Sequence, residues 1–311
     1  MTSTPPVKPK VSILISYHYA KNKNLSEIFD PFRDHVDFDL FADSGAFTAG
    51  NQGFHISPKD YAIWLTKWDG YFTAISNLDV VTSAAKSFDN WLILKDMGVH
   101  TLPVYHAGED IKWLKKYAAQ TDYIAIGGIA GTSLMSKGAQ SRFVDAFRIA
   151  EETGCKYHAF GVTTWEILKR FPWYSFDSST WMSAPVFGRI QVFDYKFGTM
   201  NQFTMQRRNR DFDRNKFLQL WHLLEPLGVD LTEFFEHSKT KDAHYYYAYL
   251  SSMAYWLMIK WMQKNYGEMI GPRGVGPKMY MVVASFPYVA SAVEGFLNVE
   301  KRYQELLACA V

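Results

Sequence analysis

Between Val11 and Tyr195 the chain repeats one pattern, a short apolar run followed by a longer amphipathic one. Short apolar runs bounded by turn residues read as buried strands, and apolar residues spaced three and four apart read as helices. The strand candidates are Val11–Ser16, Phe38–Ala42, Tyr71–Leu78, Thr101–Tyr105, Tyr123–Ile126, Tyr157–Val162, Tyr174–Phe176 and Ile190–Phe193. Helix signals separate them. Ser57-Pro58-Lys59-Asp60 supplies a cap and a first-turn proline for a helix over Tyr61–Trp68. Phe88–Met97 stops at Gly98, and Arg142–Glu152 sets Phe143, Phe147 and Ala150 on one face. Thr163-Thr164-Trp165-Glu166 caps another helix, which ends before Pro172. Eight strands with helices between them predict an α/β fold, a (β/α)8 TIM-like barrel over residues 11–200. A doubly wound open sheet is the competing architecture, and the lack of Gly-x-Gly-x-x-Gly after the first strand counts against it.

The flanks differ. Residues 1–10 hold three prolines and no apolar h-region, which predicts a flexible tail. Residues 201–311 are expected to be mainly helical and to pack on the barrel. Within them Tyr245–Ile259 is apolar, but too short to span a bilayer and followed by Lys260, so a buried helix and no membrane partner are expected. The only cysteines, Cys155 and Cys309, are too few for a structural zinc site or a disulfide framework. No metal is expected, and the cytoplasm is the expected compartment. A net charge of +2 confines any polyanion-binding surface to local patches. Arg207, Arg208 and Arg210 are candidates, with Lys137 and Arg142 nearer the middle of the chain. A solvated charge run is the equal alternative.

Strand C-termini carry the catalytic groups of an α/β barrel. Asp43 and Asp177 each close an apolar run and are followed by small residues, Ser44-Gly45 and Ser178-Ser179. Taken singly, Asp43 reads equally as a turn residue and Asp177 as a helix cap. Asp79 ends Ile75-Ser76-Asn77-Leu78-Asp79, and His106 ends Leu102-Pro103-Val104-Tyr105-His106. Gly127-Gly128 follow an apolar strand, where they admit a ligand to the backbone or a close strand–helix crossing. On a barrel all five positions meet at one rim, and two carboxylates there are the minimum for glycosidic chemistry.

At this point the chain resembles the guanine transglycosylases, which exchange a base in nucleic acid for a 7-deazaguanine. Asp43-Ser44-Gly45-Ala46-Phe47 is similar to the family's Asp-Ser-Gly-Gly-Phe-Gln, and Asn77-Leu78-Asp79 to its guanine-reading segment. Tyr123-Ile124-Ala125-Ile126-Gly127-Gly128-Ile129-Ala130 resembles Tyr-Ala-Val-Gly-Gly-Leu-Ala. Tyr157-His158-Ala159-Phe160-Gly161-Val162 resembles His-Tyr-Leu-Met-Gly-Val, and Phe176-Asp177-Ser178 resembles Phe-Asp-Cys.

The resemblance implies that Asp177 is the nucleophile and Asp43 the acid–base group. It implies a base pocket built from Asp79, His106, Gly127, Gly128 and Ser44, with Phe47 or Phe160 stacking on the ring. It implies no cofactor, and a free 7-deazaguanine such as 7-cyano-7-deazaguanine as second substrate. His106 stands where a base-reading glutamine is usual, and Ala46 and Thr48 replace a glycine and a glutamine. Trp181-Met182-Ser183-Ala184-Pro185 replaces an arginine-containing segment of the tRNA enzymes, whose zinc cysteines are also missing. Those departures favour the zinc-free phage and bacterial branch, with DNA as the partner.

A tRNA-guanine transglycosylase and a non-catalytic nucleic-acid-binding paralogue are the alternatives. An unrelated barrel glycosidase, with Trp165, Trp173 and Trp181 as sugar platforms, is a third. A second copy of the chain or a helper protein is the open protein partner.

Overall fold

The computed structural model describes residues 8–128, 137–162, 165–205, 214–266 and 278–309. Seven predicted strands form where expected: β1 (Lys10–Ser16), β2 (Asp37–Asp43), β3 (Ala74–Ile75), β4 (Val104–His106), β5 (Tyr123–Gly127), β6 (Lys156–Ala159) and β7 (Ser175–Ser178). The eighth prediction, Ile190–Phe193, falls in β8 (Arg189–Asp194), which pairs antiparallel with β9 (Thr199–Thr204) in a separate hairpin. The eighth strand of the main sheet is instead β10 (Lys278–Val283), from a region expected to be helical. Its run Met279-Tyr280-Met281-Val282-Val283 is short and apolar, but it is isolated from the other strand candidates by the long aromatic stretch Asn215–Tyr266.

The main sheet has the order β3-β2-β1-β10-β7-β6-β5-β4, and every pairing within it is parallel. The ladder is not continuous between the two edge strands. β3 and β4 meet beyond their ends at a single parallel bridge, Ser76 to Leu102. There Asn77 N donates to Leu102 O at 2.8 Å and Leu102 N donates to Ile75 O at 2.7 Å.

Two compact units make up the chain. One comprises Met1–Ser178 with Ile270–Ala284, the other Ser179–Met269 with Ser285–Val311. In the first, the period-two alternation of strands sorts side chains between two faces. One face gathers Leu14, Phe41, Ala74 and Tyr280, with Leu102, Phe160 and Val282 packed against them. On the other, helices Pro58–Lys67, Ala84–Asp96, Ile111–Ala118 and Lys137–Thr153 bury aromatic side chains such as Tyr61, Trp91, Tyr117 and Phe147. The capping prediction at Ser57 holds, its side chain accepting from Lys59 N and Asp60 N, and Gly98 takes a positive φ of 79°. A buried polar knot sits along β2: Asp39 accepts from Thr73, from Lys278 Nζ at 3.3 Å and from Tyr280 at 3.2 Å. Because the strands are parallel, their C-terminal ends share one edge, where Asp43, His106, Gly127 and Asp177 lie.

The second unit contains the β8–β9 hairpin and helices Ala243–Tyr266 and Tyr288–Cys309. Val289, Val293 and Phe296 are buried on one stripe of the last helix with Leu297 half-buried, and Trp256 Nε1 donates to Ala292 O at 3.2 Å. No described helix is long and apolar enough to cross a membrane. Of the tail predicted over residues 1–10, Met1–Val7 lie outside the described residues, as do the cap at Thr163-Thr164 and the arginine run at 207–210, while Lys10 opens β1 and Pro9 O accepts from Asp37 N.

Phe41 links the inner face to the rim. It is fully buried and meets the rings of His158, Phe160 and Tyr280 at 4.7, 5.9 and 5.2 Å between centroids. Phe41→Ala is expected to cost about 3–5 kcal/mol of unfolding free energy, the range for emptying a buried phenylalanine site. Denaturant unfolding measures it, and a loss below about 1 kcal/mol would contradict a packed interior.

Candidate active site

Asp43 ends β2 two residues beyond Phe41, on the same face. Its position is set by the turn that follows. Gly45 adopts φ 72° and its N–H donates to Asp43 Oδ2 at 2.9 Å, while the Ser76 hydroxyl donates to Oδ1 at 3.2 Å. A side chain at Gly45 would strike Ser16 Oγ and come within 2.6 Å of His18 Cβ, so the turn requires glycine. Ser44 is buried within it: its N–H donates to Ser76 Oγ and its own hydroxyl accepts from Ala46 N, both at 3.2 Å. The turn reading of Asp-Ser-Gly and its placement of a carboxylate are thus the same structure.

Asp177 lies in β7, 6% exposed. Its Oδ1 accepts from Gly161 N at 2.9 Å and faces His158 Nε2 at 3.2 Å. A carboxylate only accepts, so Nε2 is the protonated ring nitrogen. The other nitrogen, Nδ1, lies 2.7 Å from Ser175 Oγ, which lies 2.6 Å from the Tyr123 hydroxyl. His158 is fully buried among aromatic rings, Phe160 at 4.6 Å and Tyr280 at 5.9 Å in addition to Phe41. The chain Tyr123–Ser175–His158–Asp177 fixes the ring and the carboxylate together.

A second imidazole stands across the rim. His106 Nε2 meets Asp79 Oδ2 at 2.8 Å, and Nδ1 meets Glu109 Oε1 at 3.1 Å. The His106 N–H also donates to Glu109 Oε2 at 3.0 Å. The paired glycines lie against this ring: a Cβ at Gly127 would come within 3.1 Å of His106 Cδ2, and one at Gly128 within 3.1 Å of His106 Cβ. The space beside both glycines is taken by His106 of the neighbouring strand β4 and not by a crossing helix. Phe47, 62% exposed, lines a cavity of about 490 Å³ with Phe54, His55, Leu78, Asp79 and Asn90. Asp43 and Asp177 do not line it, so the cavity abuts the Asp79 side of the rim.

The charges differ in consequence. Burial, then the negative charge of Asp79 and to a lesser degree that of Asp177, push Asp43 up to about 7, against the opposing hydrogen bonds from Gly45 and Ser76. Burial works against charge on His106, but the hydrogen bonds and charges of Asp79 and Glu109 outweigh it and raise its pKa to about 9. One rim therefore holds a carboxyl that exchanges its proton near neutrality and an imidazolium clamped between two carboxylates.

Of the predicted site residues, Asp43, Asp79, His106, Gly127, Gly128, Phe160 and Asp177 collect at or next to this strand edge. Arg142 is exposed, its guanidinium next to Gly108 beyond β4. Lys137 begins a helix, and its side chain lies outside the described residues, as do Arg207, Arg208 and Arg210. Trp173 and Trp181 are 1% and 0% exposed and offer no face to a sugar, while the Trp165 side chain is outside the described residues. Sequence reasoning missed His158, Ser175, Ser76 and Glu109. A histidine inside an apolar strand, two residues before Phe160, was the available signal for the first. Glu109, three residues after His106, was the signal for the clamp. Comparison of the chain with protein-family models, curated proteins and solved structures gives no match.

The raised Asp43 has a thermodynamic signature. The folded protein keeps a proton that the unfolded chain releases above its ordinary 3.8, so stability from this group falls as pH rises from about 4 to about 7. Asp43→Asn removes that loss. After screening of a partly exposed group is allowed for, the variant should be more stable than wild type by about 1–2 kcal/mol at pH 8, with the gain vanishing near pH 4. Thermal unfolding across that range measures it, and a pH-independent difference would contradict the assignment. His106 acts in the next window: its ion pairs stabilise fully below about 6.5, and that contribution is lost as pH rises through about 9.

Proposed function

We propose that this protein is a DNA-guanine transglycosylase that replaces guanine in DNA with a 7-deazaguanine base. The observation that carries the reading is a pair of carboxylates on one strand edge, held by different partners. Asp43 is held near neutrality, and Asp177 is fixed by His158 and the Gly161 N–H. The five ordered segments that resemble guanine transglycosylases support it, and so does a parallel eight-stranded sheet in the barrel order. That sheet follows a TIM-like order, with its two edge strands meeting only at the Ser76–Leu102 bridge.

The reaction is a double displacement. Asp177 Oδ1 is engaged, which leaves Oδ2 to attack C1′ of the target nucleotide. The C1′–N9 bond breaks as the C1′–O bond forms, and guanine leaves with a proton from Asp43. The incoming 7-deazaguanine gives its N9 proton to the Asp43 carboxylate and attacks C1′, releasing Asp177. A group whose pKa lies near 7 serves both transfers. Asp79 reads the base edge while Phe47 and Phe160 offer stacking faces. A target in duplex DNA is flipped out to reach such a rim, with Arg142 among the backbone contacts. The missing arginine segment and zinc cysteines of the tRNA enzymes favour DNA over tRNA. The reaction needs no redox cofactor and belongs in the cytoplasm.

Incubation with labelled guanine, or with 7-cyano-7-deazaguanine, and either DNA or tRNA tests the proposal. Nucleoside mass spectrometry is expected to find the label in DNA and not in tRNA. Asp177→Ala should lower exchange at least about 10⁴-fold, in line with removal of a covalent nucleophile. Label in tRNA alone would reassign the polynucleotide, and exchange by Asp177→Ala at near the wild-type rate would refute the mechanism.

A further inference from the structure

We propose that His106 and Glu109 are positioning residues: they pin Asp79 by one oxygen so that the other accepts the paired N–H donors of a 2-amino-6-oxo ring edge. The inference rests on the base-exchange reading and deepens it by assigning base selection to a three-residue clamp. Both nitrogens of the His106 ring are already engaged, one by Asp79 Oδ2 and one by Glu109 Oε1. The ring has no donor left for a base, so its effect on recognition passes through Asp79. Among the described residues nothing hydrogen-bonds Asp79 Oδ1, and Asp79 faces the cavity that Phe47 lines.

The clamp is rigid on three sides. Glu109 grips His106 twice, by the ring at 3.1 Å and by the backbone N–H at 3.0 Å. Gly127 and Gly128 leave only the space that the ring occupies. The His106 and Glu109 side chains are 7% and 13% exposed, which shelters their interaction from solvent screening. A carboxylate offers only acceptors to a base edge. An acceptor suits adjacent N–H groups such as N1–H and the 2-amino group. It repels a 6-amino ring whose N1 is itself an acceptor, because two lone pairs would then face each other without a proton.

The test compares wild type with Glu109→Gln and His106→Gln, using labelled guanine as the incoming base and DNA as acceptor. Glu109→Gln is expected to raise KM for guanine about tenfold or more while kcat falls less than about threefold, since chemistry at Asp177 is not touched. His106→Gln, which keeps a neutral donor toward Asp79 but not the second grip, is expected to shift KM in the same direction. A role in folding alone would instead lower the amount of active protein and leave KM where it is. If wild type exchanges guanine and both folded variants keep the wild-type KM, the clamp is refuted and the base-exchange reading stands. If wild type exchanges no base with any polynucleotide, both fall together.

Discussion

The hydrogen bond between His158 and Asp177 ties the interior of the sheet to the chemistry proposed at its edge. It is made in a box of Phe41, Phe160 and Tyr280, where an unpaired imidazole or carboxylate would be costly. The pair is tolerated because both ring nitrogens and Asp177 Oδ1 have partners: Ser175 and Tyr123 behind the ring, the Gly161 N–H on the carboxylate. Removing Phe41 or Ser175 would loosen the ring, and with it the carboxylate oxygen left for attack. Packing, hydrogen bonding and orientation are here one problem.

Neutralisation is uneven around the rim, and that unevenness separates the roles. Asp79 has an imidazolium partner and Asp177 an imidazole N–H, whereas among the described residues Asp43 has only the Gly45 N–H and the Ser76 hydroxyl. Two nearby negative charges and burial therefore fall on Asp43, which answers by holding a proton near neutrality. Carboxylates of the same intrinsic acidity can be driven to different work by what surrounds them, and the roles proposed for Asp177 and Asp43 use that route.

Much of this architecture was legible in the sequence. Period-two apolar runs located seven strands of the sheet, and the acids closing them located the rim. What failed did so for local reasons. Ile190–Phe193 has a strand's composition, but the partner β9 follows after a short turn and takes it into a hairpin. β10 arrives after a long helical insertion, so the run Met279–Val283 lost its place in the count. At the site, strand-end carboxylates are visible because they stand beside small residues. Their partners are not: whether His158 meets Asp177, or Glu109 reaches back to His106, depends on register between strands and on one turn. The role of Gly127 and Gly128 as room for His106 likewise needs the neighbouring strand β4 to be seen.

The most direct measurement is to map the covalent intermediate. The protein is mixed with guanine-containing DNA without incoming base, quenched in denaturant, digested with protease and nuclease, and its peptides sequenced by mass spectrometry. The account predicts a deoxyribose-phosphate adduct on Asp177, formed as free guanine appears and lost when a 7-deazaguanine is added before the quench. Guanine release with an adduct on Asp43, or exchange with no protein adduct at any time, would contradict it.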